Sequence, residues 1–168
     1  MTETLSPALP ADVEAAVHQV LKAACDRDLK LVTAESCTGG MLASLLTDVD
    51  GCGHAFERGF VPYTDEAKHA LLDVPLALLE RFTAVSAPVA EAMASGALAR
   101  SSGDIALSIT GFAGRGAPEE EPGLVYFALA RRDSAVRIEE AHFGDVGRGP
   151  VRLKCLRKAL EMLRSAIG

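Results

Sequence analysis

The run TAESCTGG (33–40) places a serine where a β-rich stretch gives way to glycines. Ser36 there stands at a strand-to-helix junction, from which its hydroxyl can project into a cleft. The N–H groups just after it are first-turn donors with no helical partner, suited to holding an oxyanion. Gly39 and Gly40 remove side chains, so a substrate can approach the backbone beyond Cys37 and Thr38. A serine nucleophile needs a base, and none of His18, His54, His69 and His142 falls in a pattern that joins it to Ser36. A lysine serves when burial or nearby cations keep it neutral. Lys68 lies about one turn into the helix after the strand that ends at Tyr63, so both side chains can reach the carboxyl end of a sheet. Plainer readings stand beside these. Ser36 or Thr38 can simply cap a helix, and Lys68 can be a solvated residue paired with Asp65 or Glu66. Cys37 is a rival nucleophile, because a helix N-terminus favours a thiolate. It points away from residue 36, however, and has no evident histidine partner.

Two further features have the chemistry of anion binding. The loop TGFAGRGAP (110–118) follows a strand, and such loops present consecutive N–H groups to an anion, here with Arg115 adding charge. It fits neither GxxxxGK[ST] nor GxGxxG, so phosphate cradle and long turn both remain open. Arg148 and Arg152 flank the start of the last helix and offer a fork for phosphate or carboxylate, or lie solvated.

Helical and strand periods alternate around these residues, the pattern of an α/β layered fold. Val13, Val17, Val20, Leu21 and Ala24 mark a first amphipathic helix of roughly 15 residues. Residues 30–34 read as a short strand stopping at Glu35 and Ser36, and Met41, Leu42, Leu45 and Leu46 as a second helix. Residues 50–53 are a turn, and 56–63 a strand with Pro62 near its end. Thr64 is an N-cap with Asp65 and Glu66 in the first turn. Helices follow at about 76–81 and from a Ser86 cap to about Arg100, with Pro88 in its first turn. Strands are expected at 104–110, 123–130 and 135–143, the last two joined as a hairpin across 131–134. Leu153, Leu156, Leu160, Leu163 and Ile167 line one face of a final helix. With no repeat or linker, residues 1–168 read as one domain behind a flexible tail over 1–10.

With hydrophobic residues at 49% and charged residues at 24%, the chain has the profile of a globular, ordered protein. The net charge of −6 disfavours tracking a nucleic-acid backbone. No apolar run approaches the ~20 residues that span a bilayer, and the start lacks a secretory pattern, so a cytoplasmic address is expected. Four scattered cysteines without a CxxC pair argue against structural zinc and a disulfide framework.

Taken in order, AESCTGG (34–40), FERGFVPYTDEAK (56–68), AVS (84–86), TGFAG (110–114), PGLVYFALA (122–130) and FGD (143–145) resemble one family over nearly the whole chain. It is the nicotinamide mononucleotide deamidase family, also known as the C-terminal domain of the competence/damage-inducible CinA proteins. The resemblance implies a three-layer α/β/α sandwich with a mixed central sheet, no metal and no cofactor. It implies removal of ammonia from the carboxamide of nicotinamide mononucleotide, leaving nicotinic acid mononucleotide. By position, Ser36 would be the nucleophile, neutral Lys68 its base and Tyr63 a relay, with backbone N–H groups of 37–39 holding the oxyanion. Cys37, Thr38, Gly39 and Gly40, with Thr110, Gly111, Ala113 and Gly114, would lie against the nucleotide, and Arg148 would meet its phosphate. Homo-oligomers are a family tendency. The chain also departs from the family pattern: Arg115 replaces a proline, Glu121 a lysine and Asp65 an asparagine, and Cys52 and His54 replace small residues. A two-residue insertion, Val146 and Gly147, precedes Arg148. These departures leave two alternatives: the same chemistry on a different carboxamide, or a non-catalytic module that binds a nucleotide or a protein.

Overall fold

Val13, Val17, Val20, Leu21 and Ala24 fall on one side of α1 (Ala11–Asp26), and all five are buried, as their helical spacing requires. The computed structural model describes residues 9–168; most of the expected N-terminal tail lies outside the described residues. After α1 come β1 (Leu31–Glu35), α2 (Met41–Leu45), a single 3-10 turn at Gly53–Ala55, and β2 (Phe56–Phe60). Then follow α3 (Asp65–Leu72), α4 (Leu76–Phe82), α5 (Ala87–Ala99), β3 (Ile105–Gly111), β4 (Leu124–Arg131), β5 (Arg137–His142) and α6 (Arg148–Ile167). The strands form one mixed sheet in the order β2-β1-β3-β4-β5. β2, β1 and β3 run parallel, while β4 and β5 are antiparallel additions.

Alternation along the strands divides the core in two. Leu31, Ile105, Leu107, Ile109, Val125 and Phe127 face α1, α2 and α6. Val32, Ala34, Ala106, Ala128 and Ala130 face the other way, against Ala90, Met93, Ala94 and Ala97 of α5 and Leu72 of α3. Helices on both sides of a mixed sheet make the expected three-layer sandwich. No helix among the described residues is long and apolar enough to cross a membrane.

The alanine-rich side lets backbones approach closely. A β-carbon added to Gly96 in α5 would stand 2.0 Å from the Leu72 carbonyl oxygen at the end of α3. Gly96→Ala is therefore expected to cost about 3 kcal/mol, because one of two packed helices must move. A denaturant midpoint unchanged by the substitution would contradict this packing.

Two boundaries and one cap differ from the sequence reading for identifiable reasons. The strand expected over 56–63 ends at Phe60, since its partner β1 ends too: Ala34 pairs with Phe60, and beyond it Ser36 donates its N–H to the Ile109 carbonyl at 2.9 Å. Ser86 does occupy the N-cap of α5, but its hydroxyl donates to the Thr83 carbonyl instead of capping. The strand expected over 135–143 is confined to Arg137–His142, where its pairing with β4 begins and ends.

Candidate active site

β1 leads into α2, which packs on the α1/α6 side through Leu42 and Leu45, whereas the adjacent parallel strand β2 leads into α3 on the opposite side. Neighbouring strands that send the chain to opposite faces leave a crevice at their carboxyl ends. Ser36 opens the turn after β1 at this edge, and Lys68 lies in the first turns of α3 after β2.

The turn 36–40 is not a capping arrangement. Gly40 is the N-cap residue of α2 with no side-chain cap, and the Ser36 hydroxyl has no hydrogen-bond partner among the described residues while Ser36 remains 8% exposed. The buried Thr38 hydroxyl is unpartnered as well. Glu35 does the capping: it is fully buried, and its carboxylate accepts the N–H groups of Leu42 at 3.0 Å and Ala43 at 2.7 Å. Gly39 and Gly40 take φ of +61° and +91°, a left-handed path that side chains resist. The Gly39 N–H donates to the Ser36 carbonyl, whereas those of Thr38 and Gly40 have no acceptor among the described residues. Cys37 turns its sulfur into the core beside Cys155. The hydrogen bond from Cys155 pulls the Cys37 thiol down, and the Cys155 thiol is pushed up by the same contact and by burial. A buried sulfur is a poor nucleophile for an outside substrate, so the rival reading loses ground.

Lys68 is 1% exposed, unlike the solvated lysine of the plainer reading. Thr64 caps its helix, accepting the Ala67 N–H at 3.1 Å. The Nζ donates to the Tyr63 carbonyl at 3.2 Å, and Asp65 lies 3.6 Å away. Burial lowers the Lys68 pKa from its ordinary value, with Asp65 working against it. Tyr63 holds Lys68 through its backbone, while the residue itself is 61% exposed.

The third wall comes from the loop after β3. The Thr110 hydroxyl donates to the Ala84 carbonyl at 2.8 Å, joining the end of β3, where this loop starts, to the segment before α5. A cavity of about 450 Å³ lies beside it, lined by Thr83, Ala84, Val85, Phe112, Glu119 and Glu120. Gly111 ends β3, and Ala113 is buried just beyond. Arg148 brings its guanidinium over Gly114, 3.5 Å from where a β-carbon would stand. One turn later, Arg152 donates from Nε to the Cys37 carbonyl at 2.8 Å and lies over Gly39. The two arginines thus divide between the β3 loop and the Ser36 turn, and neither pairs with a carboxylate among the described residues. Arg115 is bound to Asp145 at 2.6 Å.

Residues 13–167 match the profile of the CinA C-terminal domain. The chain belongs to that family. It is 44% identical over 150 residues to the nicotinamide-nucleotide amidohydrolase PncC of Escherichia coli, covering 88% of each chain. It is 50% identical over 115 residues to a CinA-like protein of Akkermansia muciniphila, covering 67% of this chain and 28% of that one. The chain spans about a third or less of several such longer relatives. A solved competence/damage-inducible protein, CihA of Agrobacterium tumefaciens, superposes with a TM-score of 0.90 at 40% identity over 99% of both chains.

In this CinA-type domain the departures noted in the sequence are spread out. Arg115, Glu121, Val146 and Gly147 lie on loops, and Asp65 opens α3. Cys52 and His54 sit at the turn before β2, where His54 Nε2 meets the Cys25 sulfur at 3.2 Å. Glu121 reaches His142 at 2.7 Å across the end of the β4–β5 hairpin, and Arg115 and Asp145 pair nearby. Glu35 and the separate position of Arg152 escaped the sequence reading. A carboxylate closing the apolar strand LVTAE was the available signal, since a buried acid must find donors.

Proposed function

We propose that this chain is an amidohydrolase that removes ammonia from the carboxamide of nicotinamide mononucleotide, leaving nicotinic acid mononucleotide, by a serine–lysine mechanism within one domain. The observation that carries the reading is the Ser36 hydroxyl, free of internal partners, at the crevice edge it shares with a buried lysine. Neutral Lys68 takes the Ser36 proton as the oxygen attacks the carboxamide carbon. The oxyanion develops toward the free N–H groups of Thr38 and Gly40. The proton passes to the leaving nitrogen, ammonia departs, and water activated by Lys68 cleaves the acyl-enzyme to release the carboxylate.

A nucleotide substrate fits the two arginines without acid partners, and the E. coli relative's name as a nicotinamide-nucleotide amidohydrolase supports the class. Exposed Tyr63, whose carbonyl holds the Lys68 Nζ, can relay a proton to solvent. The test is ammonia release from nicotinamide mononucleotide by the purified chain with EDTA present. Release by the wild type and not by Ser36→Ala supports the reading; failure to act on the nucleotide while hydrolysing another carboxamide transfers the same chemistry to that substrate.

Arg148 is assigned to the phosphate. Arg148→Ala is expected to raise KM by about tenfold, the loss of one charge-assisted contact, with kcat nearly unchanged. The riboside lacking the phosphate should be indifferent to the substitution, and equal losses on both compounds would remove Arg148 from the phosphate site.

A further inference from the structure

Glu35 immediately precedes the nucleophile, yet its side chain neither reaches Ser36 nor meets a cation by any contact among the described residues. Both oxygens are committed to α2, one to Leu42 and one to Ala43. The carboxylate therefore closes 36–41 into a ring whose entry and exit are tied to the same strand end. The other ties hold the entry or lie within the turn. Ser36 donates to Ile109 of β3, Arg152 grips the Cys37 carbonyl, and Gly39 and Met41 donate to the Ser36 and Thr38 carbonyls. Among the described residues, only Glu35 ties the exit of the turn to the sheet by side-chain hydrogen bonds, beside the apolar packing of Leu42 and Leu45. Between the anchors stand Gly39 and Gly40, the most freely rotating residues of the span. There too are the Thr38 and Gly40 N–H groups, which have no acceptor of their own.

We propose that Glu35 is a positioning residue of the amidase: its buried carboxylate sets the direction of the Thr38 and Gly40 N–H groups toward the developing oxyanion. This rests on the serine–lysine reading of the site. The role needs a carboxylate. A glutamine offers one oxygen and turns an NH2 group against the second amide, so one of Leu42 and Ala43 loses its acceptor. An aspartate keeps the charge but is one methylene too short to span both amides. Oxyanion contacts exist only in the transition state, so their misdirection lowers kcat and leaves KM alone.

The test is steady-state kinetics of the full chain bearing Glu35→Gln or Glu35→Asp, assayed where circular dichroism and the denaturant midpoint show each variant fully folded. Glu35→Gln is expected to lower kcat by about 100-fold with KM within threefold. The pH midpoint of the rate, set by Lys68 on α3, should not move. Glu35→Asp should fall between Gln and wild type. A kcat within threefold of wild type for the folded Gln variant, or a loss carried by KM, overturns the proposal. If the wild type releases no ammonia from any carboxamide, the amidase reading fails on its own, and Glu35 is judged by phosphonofluoridate labelling of Ser36. Labelling slowed at least tenfold in Glu35→Gln sustains the positioning role; equal rates, or no labelling of either protein, overturn it.

Discussion

Ser36→Ala is expected to lower kcat for ammonia release by about 10,000-fold or more while changing stability by no more than about 0.5 kcal/mol. The two halves of this result come from one observation. The hydroxyl makes no hydrogen bond among the described residues, so its removal leaves no orphaned partner and creates almost no cavity. A serine that capped α2 would behave in the opposite way: about 1 kcal/mol of stability lost and activity largely kept. Glu35 has already taken the donors such a cap would serve, those of Leu42 and Ala43. Paired denaturant titrations and progress curves separate the cases. A variant that is destabilised but active sinks the nucleophile assignment.

That distinction could not be drawn from residue types, because a serine before a helix has the same pattern in both roles. The turn around it was legible for a different reason. Two consecutive glycines after a β-rich run signal a backbone that side chains resist, and Gly39 and Gly40 both have positive φ. The layer architecture was legible too. An unbroken apolar run such as Ile105, Ala106 and Leu107 belongs to a strand covered on both sides, and these three are fully buried and face alternate sides of the sheet. The 3.6-residue spacing of α1 was equally direct.

The burial of Lys68 was not legible. It depends on how α3 docks against the rest of the fold, α5 included, and that packing joins residues far apart in sequence. The fork expected from Arg148 and Arg152 was legible only as a charge pair. Its division between Gly114 and Gly39 depends on how far apart α6 holds the two loops.

Lys68→Met is expected to abolish turnover and, at neutral pH, to stabilise the fold by about 1–2 kcal/mol. Methionine keeps the length of the side chain and removes the charge that burial penalises. The pH dependence follows from the lowered pKa of Lys68. Below its folded value, native and unfolded chains both carry the proton, and the native state bears the full cost of a buried charge. Between that value and the ordinary 10.5, the unfolded chain holds a proton the native chain has shed, so wild-type stability rises with pH. Above 10.5 the penalty is gone. The advantage of Lys68→Met is therefore largest near neutral pH and fades toward alkaline pH. Catalysis depends on the same proton: kcat/KM of the wild type should climb with pH through the Lys68 titration, because only the neutral amine accepts the Ser36 proton. Asp65 supplies an independent check. Its carboxylate, 3.6 Å from the Nζ, favours the charged lysine, so Asp65→Asn should move the rising limb to lower pH. The shift should be modest, since Asp65 is half exposed and screened by solvent. A rate that ignores pH through this range, or a limb that Asp65→Asn leaves in place, counts against a neutral lysine as the base. A Lys68→Met protein that is less stable than wild type at neutral pH would mean that the ion pair with Asp65 outweighs the cost of burial.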